Sequence, residues 1–377
     1  MRLVLKDFKI FFLLFVFSVN TLFSQIDSLN KPKWFIKPVI NTGFVLVHHS
    51  SISHLVKGYP TIYEINIVKP TYGNKIWQLE NNKPDIGITF QCLDFKNPSQ
   101  LGYALIVAPF VEIPLNKTQK KSRVIMRICW GVTYITKHFD INTNQKNIAI
   151  GSNVNSFVQF KWLWHLQLTK NLRFEPGLTF SHASNGKAEN PNLGLNVVSI
   201  NVGLNIRIPN KKNSNNYFKI DSSTKVKSKN ELLTYAAIGF NQREINSPEL
   251  QTYVLGFAYQ RNIRNTHKFA GGVDIFYDQN YFTDYENVFL KQPQGIHQVR
   301  LSAKLGYSYN IGRISLPIEL GYYFFNSANA DAPIVSRLAV RYYSKCGLVG
   351  HVGLRTHFAV AYNFEYGLGY RLFLGRK

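Results

Sequence analysis

The dominant pattern along the chain is an alternation of apolar and polar residues with a period of two. It is clearest in three segments, residues 154–168, 298–309 and 360–372. In the first segment the apolar face is formed by Val154, Val158, Phe160, Trp162, Trp164, Leu166 and Leu168. The opposite face carries mainly Asn155, Gln159, Lys161, His165 and Gln167. Because successive side chains of a strand point to opposite faces, these segments are predicted to be β-strands with one apolar and one wet side.

The strands of a soluble β-sandwich or lipocalin-like barrel also alternate between apolar and polar residues. Strand length and the residues at strand ends therefore distinguish a membrane barrel from these soluble folds. Predicted strands of about ten residues, the length of a tilted transmembrane β-strand, recur from Trp34 to the C-terminus. Aromatic residues gather near many strand ends, as in interfacial girdles. In lipid only helices and closed barrels satisfy every backbone polar group. We therefore predict an all-β fold, a transmembrane antiparallel β-barrel.

The number of candidate strands leaves two arrangements open. About eight lie before Pro209 and six to eight follow a polar, basic stretch at residues 210–230 that has no periodicity and is typical of a long turn or linker. Bacterial barrels carry even strand counts, which favours one barrel of about 14 to 16 strands. The alternative is an eight-stranded barrel at 26–209 followed by a second β unit at 231–377.

The N-terminus has the features of a secretory signal peptide. Three basic residues precede an apolar run, Ile10–Val19, which is followed by small and polar residues around Ser24. The run is about half the roughly 20 residues that a membrane-spanning helix needs. Residues 1–25 are therefore predicted to be removed on export, and export makes the outer membrane the expected location.

Charge and composition limit the binding partners and the kinds of catalytic or metal site that the chain can have. The chain has 44 Lys and Arg against 21 Asp and Glu, a formal net charge of +23. For an exported protein this favours anionic lipid head groups or phosphorylated glycolipid over nucleic acid. Three cysteines exclude a disulfide framework and a CxxC metal site. Phosphate-binding loops, HExxH, GxSxG and paired glycosidase carboxylates are absent, so we expect no metal or cofactor. The pattern leaves the oligomeric state open.

Candidate chemistry lies in a predicted β-hairpin, residues 172–210. In an extended strand residues two apart share a face, which places His182 and Ser184 on the apolar face of the first strand. By the same alternation, Asn196 lies on the apolar face of the second strand. Polar groups facing lipid are costly unless they are paired. A bend at the strand end would bring the imidazole within reach of the hydroxyl, the base and nucleophile of acyl transfer. The alternative is an inert pair at the water interface, and His48 and His49 are likewise expected to be solvated rim residues.

The residues His182, Ser184, Asn185 and Gly186, followed by the run 191–194 (PNLG), resemble the PagL-type lipid A 3-O-deacylases. These are outer-membrane barrels with a Ser-His-Glu site on their lipid-facing exterior. The resemblance implies that His182 is the base and Ser184 the nucleophile, with Asn185 and the Gly186 backbone as oxyanion donors. It covers the hairpin well and the rest of the chain only by strand pattern, and it leaves everything after about residue 210 unexplained.

This sequence departs from the family pattern at the acid, where Glu is replaced by Asn196. An amide oxygen can accept a hydrogen bond from the ring but brings no charge. Glu189, in the hairpin loop, is the nearby carboxylate that could substitute.

The resemblance implies an outer-membrane serine esterase that removes an ester-linked acyl chain from lipid A of lipopolysaccharide, reached from the surrounding membrane lipid. The competing interpretation is a non-catalytic barrel, a channel or structural protein.

Overall fold

The computed structural model describes residues 34–116, 122–169, 171–208, 229–279, 295–326, 332–358 and 360–375. The predicted signal peptide lies outside these residues, as does nearly all of the polar stretch 210–230. In the part of the chain that is described, no helix is long and apolar enough to cross a membrane. The described residues contain sixteen antiparallel strands.

The first eight strands close into a barrel in which each strand pairs with its sequence neighbours and β8 returns to β1. They are β1 (Phe35–Val45), β2 (Thr61–Pro70), β3 (Asp85–Asp94), β4 (Tyr103–Pro114), β5 (Ser122–Ile135), β6 (Val154–Gln167), β7 (Leu172–Ser184) and β8 (Leu195–Arg207). A 3-10 helix, Ser50–Leu55, lies between β1 and β2, and a short α-helix, Ile76–Glu80, lies between β2 and β3.

The other eight strands close into a second barrel, with β16 pairing back to β9. They are β9 (Asn230–Gln242), β10 (Glu249–Asn262), β11 (His267–Asp278), β12 (Val299–Ile311), β13 (Ile314–Asn326), β14 (Ile334–Tyr343), β15 (Leu348–His357) and β16 (Val360–Leu374). A 3-10 turn, Gly295–Gln298, precedes β12. The chain accordingly divides into two compact units, and the short segments 75–81 and 185–192 are grouped with the second.

The all-β antiparallel barrel class is confirmed, and sixteen strands fall within the predicted number. The strands form two closed barrels, which is the alternative arrangement and not the single large barrel. The reason lies in β8, whose two edges pair with β7 and β1, so that it has no free edge on which β9 could continue the sheet. The exact domain boundaries stay a prediction.

The predicted alternation is confirmed in the wall of the first barrel. In β6, Gln159, Lys161 and His165 are buried, whereas Val154 and Trp162 are 65% and 52% exposed. Apolar side chains thus face outward and polar ones face the lumen, the inverse of a soluble barrel.

Paired charges fill the lumen of the first barrel. Lys37 Nζ lies 2.7 Å from Glu112 Oε1 and 2.5 Å from Glu175 Oε2, and Arg127 Nη2 lies 2.6 Å from the same Glu112 oxygen. Lys161 Nζ lies 2.5 Å from an oxygen of Glu64. Because a buried charge needs a partner, these contacts give each carboxylate a cation.

The second lumen is filled in the same way. Arg337 contacts carboxylate oxygens of Asp274, Glu319 and Glu365 at 2.6–2.8 Å. Arg355 Nη2 lies 2.8 Å from Asp278 Oδ2. The interior of an eight-stranded barrel is just wide enough for side chains or for one small ligand. Across the described residues, buried paired charges lie in both lumens, which argues against a wide aqueous channel.

A buried apolar cluster inside the first barrel supports the hairpin of β7 and β8. The 3-10 helix buries Ile52 and Leu55 there, next to residues of the other loops. Ala183 and Leu195, the inward-facing neighbours of His182 and Asn196, belong to the same buried cluster. The core therefore holds the ends of both strands while His182 and Asn196 point the other way.

Candidate active site

Strand register brings His182 and Asn196 together. They are directly opposed across the β7–β8 ladder, so their side chains leave the barrel wall side by side on the same outer face. Asn196 Oδ1 lies 2.7 Å from His182 Nδ1. A carbonyl oxygen can only accept, so Nδ1 carries the proton and donates to the amide.

Ser184 meets the other ring nitrogen. It follows His182 by two residues on the same face, and its Oγ lies 3.0 Å from His182 Nε2. Because Nδ1 holds the proton of a neutral ring, Nε2 has a free lone pair and accepts from the serine hydroxyl. The three residues therefore form a Ser-His-Asn arrangement with the polarity required for removing a proton from the serine.

The site opens onto the apolar exterior of the first barrel. Ser184 is opposite Ser156 on β6, and His182 is opposite Val158. Further along the same wall, Leu178 and Ile200 are more than half exposed. Ser184 itself is only 5% exposed. The predicted placement of the three polar residues on the outer face is confirmed, at the end of an otherwise apolar surface.

Gly194 forms the surface on which the histidine ring rests. Its backbone has φ +78°, and a Cβ built on it would lie 2.9 Å from His182 Cε1. Its N–H donates to the carbonyl of Ala149, in the loop between β5 and β6, at 2.8 Å. Only glycine combines this backbone conformation with the space that the ring needs.

His48 contacts the Ser-His-Asn arrangement through Asn196. It is exposed at the rim as expected, but its Nδ1 lies 3.0 Å from Asn196 Nδ2 and its Nε2 lies 3.0 Å from the Leu193 carbonyl oxygen. His49, the next residue, instead contacts Ser51 Oγ. Because 148 positions separate His48 from Asn196, no local spacing in the sequence predicts the contact.

The proposed oxyanion donors lie in the segment 185–192, within the second unit. The Asn185 N–H donates to Asn192 Oδ1 at 3.1 Å, and Asn185 Nδ2 donates to the Glu189 carbonyl at 2.8 Å. Gly186 has φ +66°. The oxyanion roles of Asn185 and Gly186 stay predictions.

Glu189 is exposed, and neither ring nitrogen of His182 needs it as a partner. Its role as an alternative acid is untested.

A second grouping of potential ligands lies in the first lumen. Atoms of Glu112, His165 and Glu175 come within 4.8 Å of one another. The ammonium of Lys37, which contacts both carboxylates, takes the position that a metal cation would need. We therefore assign this group to packing of the lumen.

Two family models match the chain. Residues 62–205 match the model described as lipid A 3-O-deacylase (PagL), and residues 230–376 match the one described as acyloxyacyl hydrolase, C-terminal domain. The first match includes His182, Ser184 and Asn196. The second covers the barrel that the resemblance in the hairpin left unexplained. No curated protein matches the chain.

Several solved structures are similar at low identity. The crystal structure of the outer membrane enzyme PagL is 13% identical, covering 46% of this chain and 99% of that chain with a TM-score of 0.33. A mutant of the Rhodopseudomonas blastica porin is 7% identical, covering 90% and 100% with a TM-score of 0.17. The copper transporter OprC is 12% identical, covering 79% and 54% with a TM-score of 0.20. Scores this low carry no weight beside the family models.

The closed barrels with apolar exteriors, together with the two family matches, define an outer-membrane β-barrel hydrolase. The matched segments together cover most of the chain, from residue 62 to residue 376 with one gap. The chain belongs to the PagL-type lipid A 3-O-deacylase and acyloxyacyl hydrolase family, and it is a lipid A deacylase-like ester hydrolase.

Proposed function

We propose that this protein hydrolyses an ester-linked acyl chain of lipid A, with Ser184 as nucleophile, His182 as general base and Asn196 as the residue that orients the imidazole. The observation that carries the proposal is the continuous contact from Ser184 Oγ through the imidazole to the Asn196 amide, at 3.0 and 2.7 Å.

The acylation step follows from the proton positions. His182 Nε2 takes the hydroxyl proton as Ser184 Oγ bonds to the ester carbonyl carbon, which gives a tetrahedral intermediate. The imidazolium then returns the proton to the departing sugar oxygen as the carbon–oxygen bond of the ester breaks. The products of this step are the deacylated sugar hydroxyl and an acyl-serine.

The deacylation step reverses these roles with water as the nucleophile. His182 Nε2 takes a proton from water as the water oxygen bonds to the acyl carbon, and Ser184 Oγ then leaves and recovers the proton. A free fatty acid is released and the resting site is restored.

The Asn196 amide can orient the His182 imidazole but adds no negative charge beside it. It keeps the proton on Nδ1, which leaves Nε2 free as a base. A carboxylate would in addition stabilise the imidazolium that forms in each step. We therefore expect an active enzyme whose rate depends on how firmly the amide is held in this orientation.

The location of the site suits a substrate whose acyl chains stay in the membrane during the reaction. The three residues lie on the outer wall of the barrel, and the surface beside them carries exposed apolar residues such as Val132 and Val154. A substrate anchored in the same membrane leaflet could present its ester linkage without leaving the bilayer. The strongly cationic composition suits the phosphates of lipid A.

The competing function, a channel, finds little support in the described residues. Paired charges fill both lumens, as in small barrels whose interiors are solid. A structural role without catalysis would leave the hydrogen-bonded trio of polar groups on a lipid-facing wall without a purpose.

The test is mass spectrometry of lipid A from cells that express the protein and lack other lipid A deacylases. We expect lipid A to lose one acyl chain. Ser184→Ala should abolish the loss, because the nucleophile is gone. Ser181→Ala is the matched control, since this hydroxyl lies on the same strand but faces the lumen, where it accepts from Gln159. Its activity should be retained.

Folding is measured in the same samples, because a folded barrel migrates differently from the unfolded chain on unheated gels. Intact lipid A in the presence of folded wild-type protein would refute the proposed function. Unchanged deacylation by folded Ser184→Ala would remove Ser184 as the nucleophile while leaving hydrolysis itself in place.

A further inference from the structure

The orientation of the Asn196 amide depends on a residue outside the Ser-His-Asn arrangement. An amide has one face that accepts and one that donates, and a half-turn about its last bond exchanges them. If the half-turn occurred, Nδ2 would donate to His182 Nδ1. The histidine proton would then move to Nε2, and the ring could no longer accept a proton from Ser184.

Hydrogen-bond chemistry in the first barrel selects one of the two orientations. The Leu193 carbonyl can only accept, so the His48 Nε2 that lies 3.0 Å from it must carry the proton. In a neutral ring His48 Nδ1 is then an acceptor. The amide nitrogen of Asn196, 3.0 Å away, donates to it.

The remaining positions follow in order. With Nδ2 directed to His48, the Asn196 oxygen faces His182 and accepts from Nδ1–H at 2.7 Å. His182 Nε2 is therefore free to accept from Ser184. One backbone carbonyl thus sets the proton positions along four side chains. A second carbonyl, that of Leu46, lies farther from His48 Nδ1, at 3.4 Å, and favours the competing proton position less.

From these contacts we infer that His48 is a positioning residue for the hydrolase: it fixes the amide of Asn196 and, through the amide, the proton of His182. The inference rests on the proposed function of Ser184 and His182. It explains how an amide can stand where the family pattern has a carboxylate, because a carboxylate has two equivalent acceptor oxygens and needs no such control.

The test is a kinetic cycle on purified, refolded full-length protein with lipid A in detergent micelles. His48→Ala should lower kcat about tenfold with little change in KM, the usual consequence of losing one orienting hydrogen bond. His48→Gln should recover most of the rate, because its side chain can accept from Asn196 and donate to Leu193. His49→Ala is the matched control on the neighbouring exposed histidine and should retain the wild-type rate.

Repeating the His48 substitution in a chain with Asp at position 196 distinguishes a positioning role of His48 from a general effect on stability. In an Asn196→Asp chain, His48→Ala should cost far less than tenfold, because a carboxylate presents an acceptor to His182 in either orientation. A wild-type kcat in His48→Ala would overturn the inference. Equal losses in the wild-type and Asn196→Asp backgrounds would also overturn it, since they would indicate a structural role.

A second measurement does not depend on activity. Nitrogen-15 NMR of the imidazoles should find His182 protonated at Nδ1 and His48 protonated at Nε2, and His182 should lose this single tautomer in His48→Ala. An unchanged His182 tautomer would refute the inference even if the enzyme had no activity on lipid A. Failure of the proposed function would instead appear as intact lipid A with the wild-type protein and the expected tautomers.

Discussion

Gly194→Ala tests whether the histidine ring needs the space and backbone geometry of this hairpin. The added Cβ would lie 2.9 Å from His182 Cε1, where ordinary contacts begin at 3.4 Å, so the ring must move by about half an ångström. The Nε2 to Ser184 Oγ distance is already 3.0 Å. A further shift of this size takes it beyond the range of about 2.7–3.2 Å for a good hydrogen bond.

The expected effect is larger on catalysis than on folding. An alanine at φ +78° costs about 1–2 kcal/mol of backbone strain, which a closed barrel tolerates. A misplacement of about 1 Å at a reacting group can cost about 100-fold in rate. For Gly194→Ala we therefore expect kcat to fall between about tenfold and 100-fold, with little change in KM because the loss is in the transition state.

The assay is acyl release from lipid A in micelles, with unfolding in urea measured on the same preparations. Gly203→Ala is the matched control on β8, where the nearest atom to an added Cβ is the side-chain Cγ2 of Val39. It should keep its rate. A wild-type kcat for Gly194→Ala would refute the argument that the position of the ring against Gly194 is required, and loss of the fold would show that strain dominates.

Asn196→Ala should lower kcat by about 10²–10⁴-fold because the imidazole loses its orienting acceptor, whereas Glu189→Gln should leave kcat unchanged; the reverse ranking in the same assay would place the orienting group in the loop. Glu189→Cys with Cys346→Ser should react with a membrane-impermeant thiol reagent on intact cells, because we predict that the 183–195 loop is extracellular and the other two cysteines are buried. Absence of labelling on folded protein would contradict that orientation. Arg337→Met should destabilise the second barrel by about 3–5 kcal/mol in urea unfolding, since three buried carboxylates lose a cation, while exposed Arg261→Met should not. Equal stability of these two variants would refute the role of the lumen network.

The sequence by itself determined which face of its strand each of these residues occupies. Alternation in 154–168 assigned Lys161 to the lumen and Trp162 to the exterior, and both assignments hold. The same parity placed His182 and Ser184 on the outer face. This information is local, because side chains alternate between the two faces of an extended strand and each residue's face follows from its immediate neighbours.

Tertiary structure decided what depends on partners distant in the chain. Closure at eight strands rests on the pairing of β1 with β8, which alternation within either strand cannot distinguish from pairing with β16. The orientation of Asn196 rests on His48, which the barrel brings next to it at its rim. Edge pairing and amide orientation are set by hydrogen bonds across the fold, so they become visible only when the barrel closes.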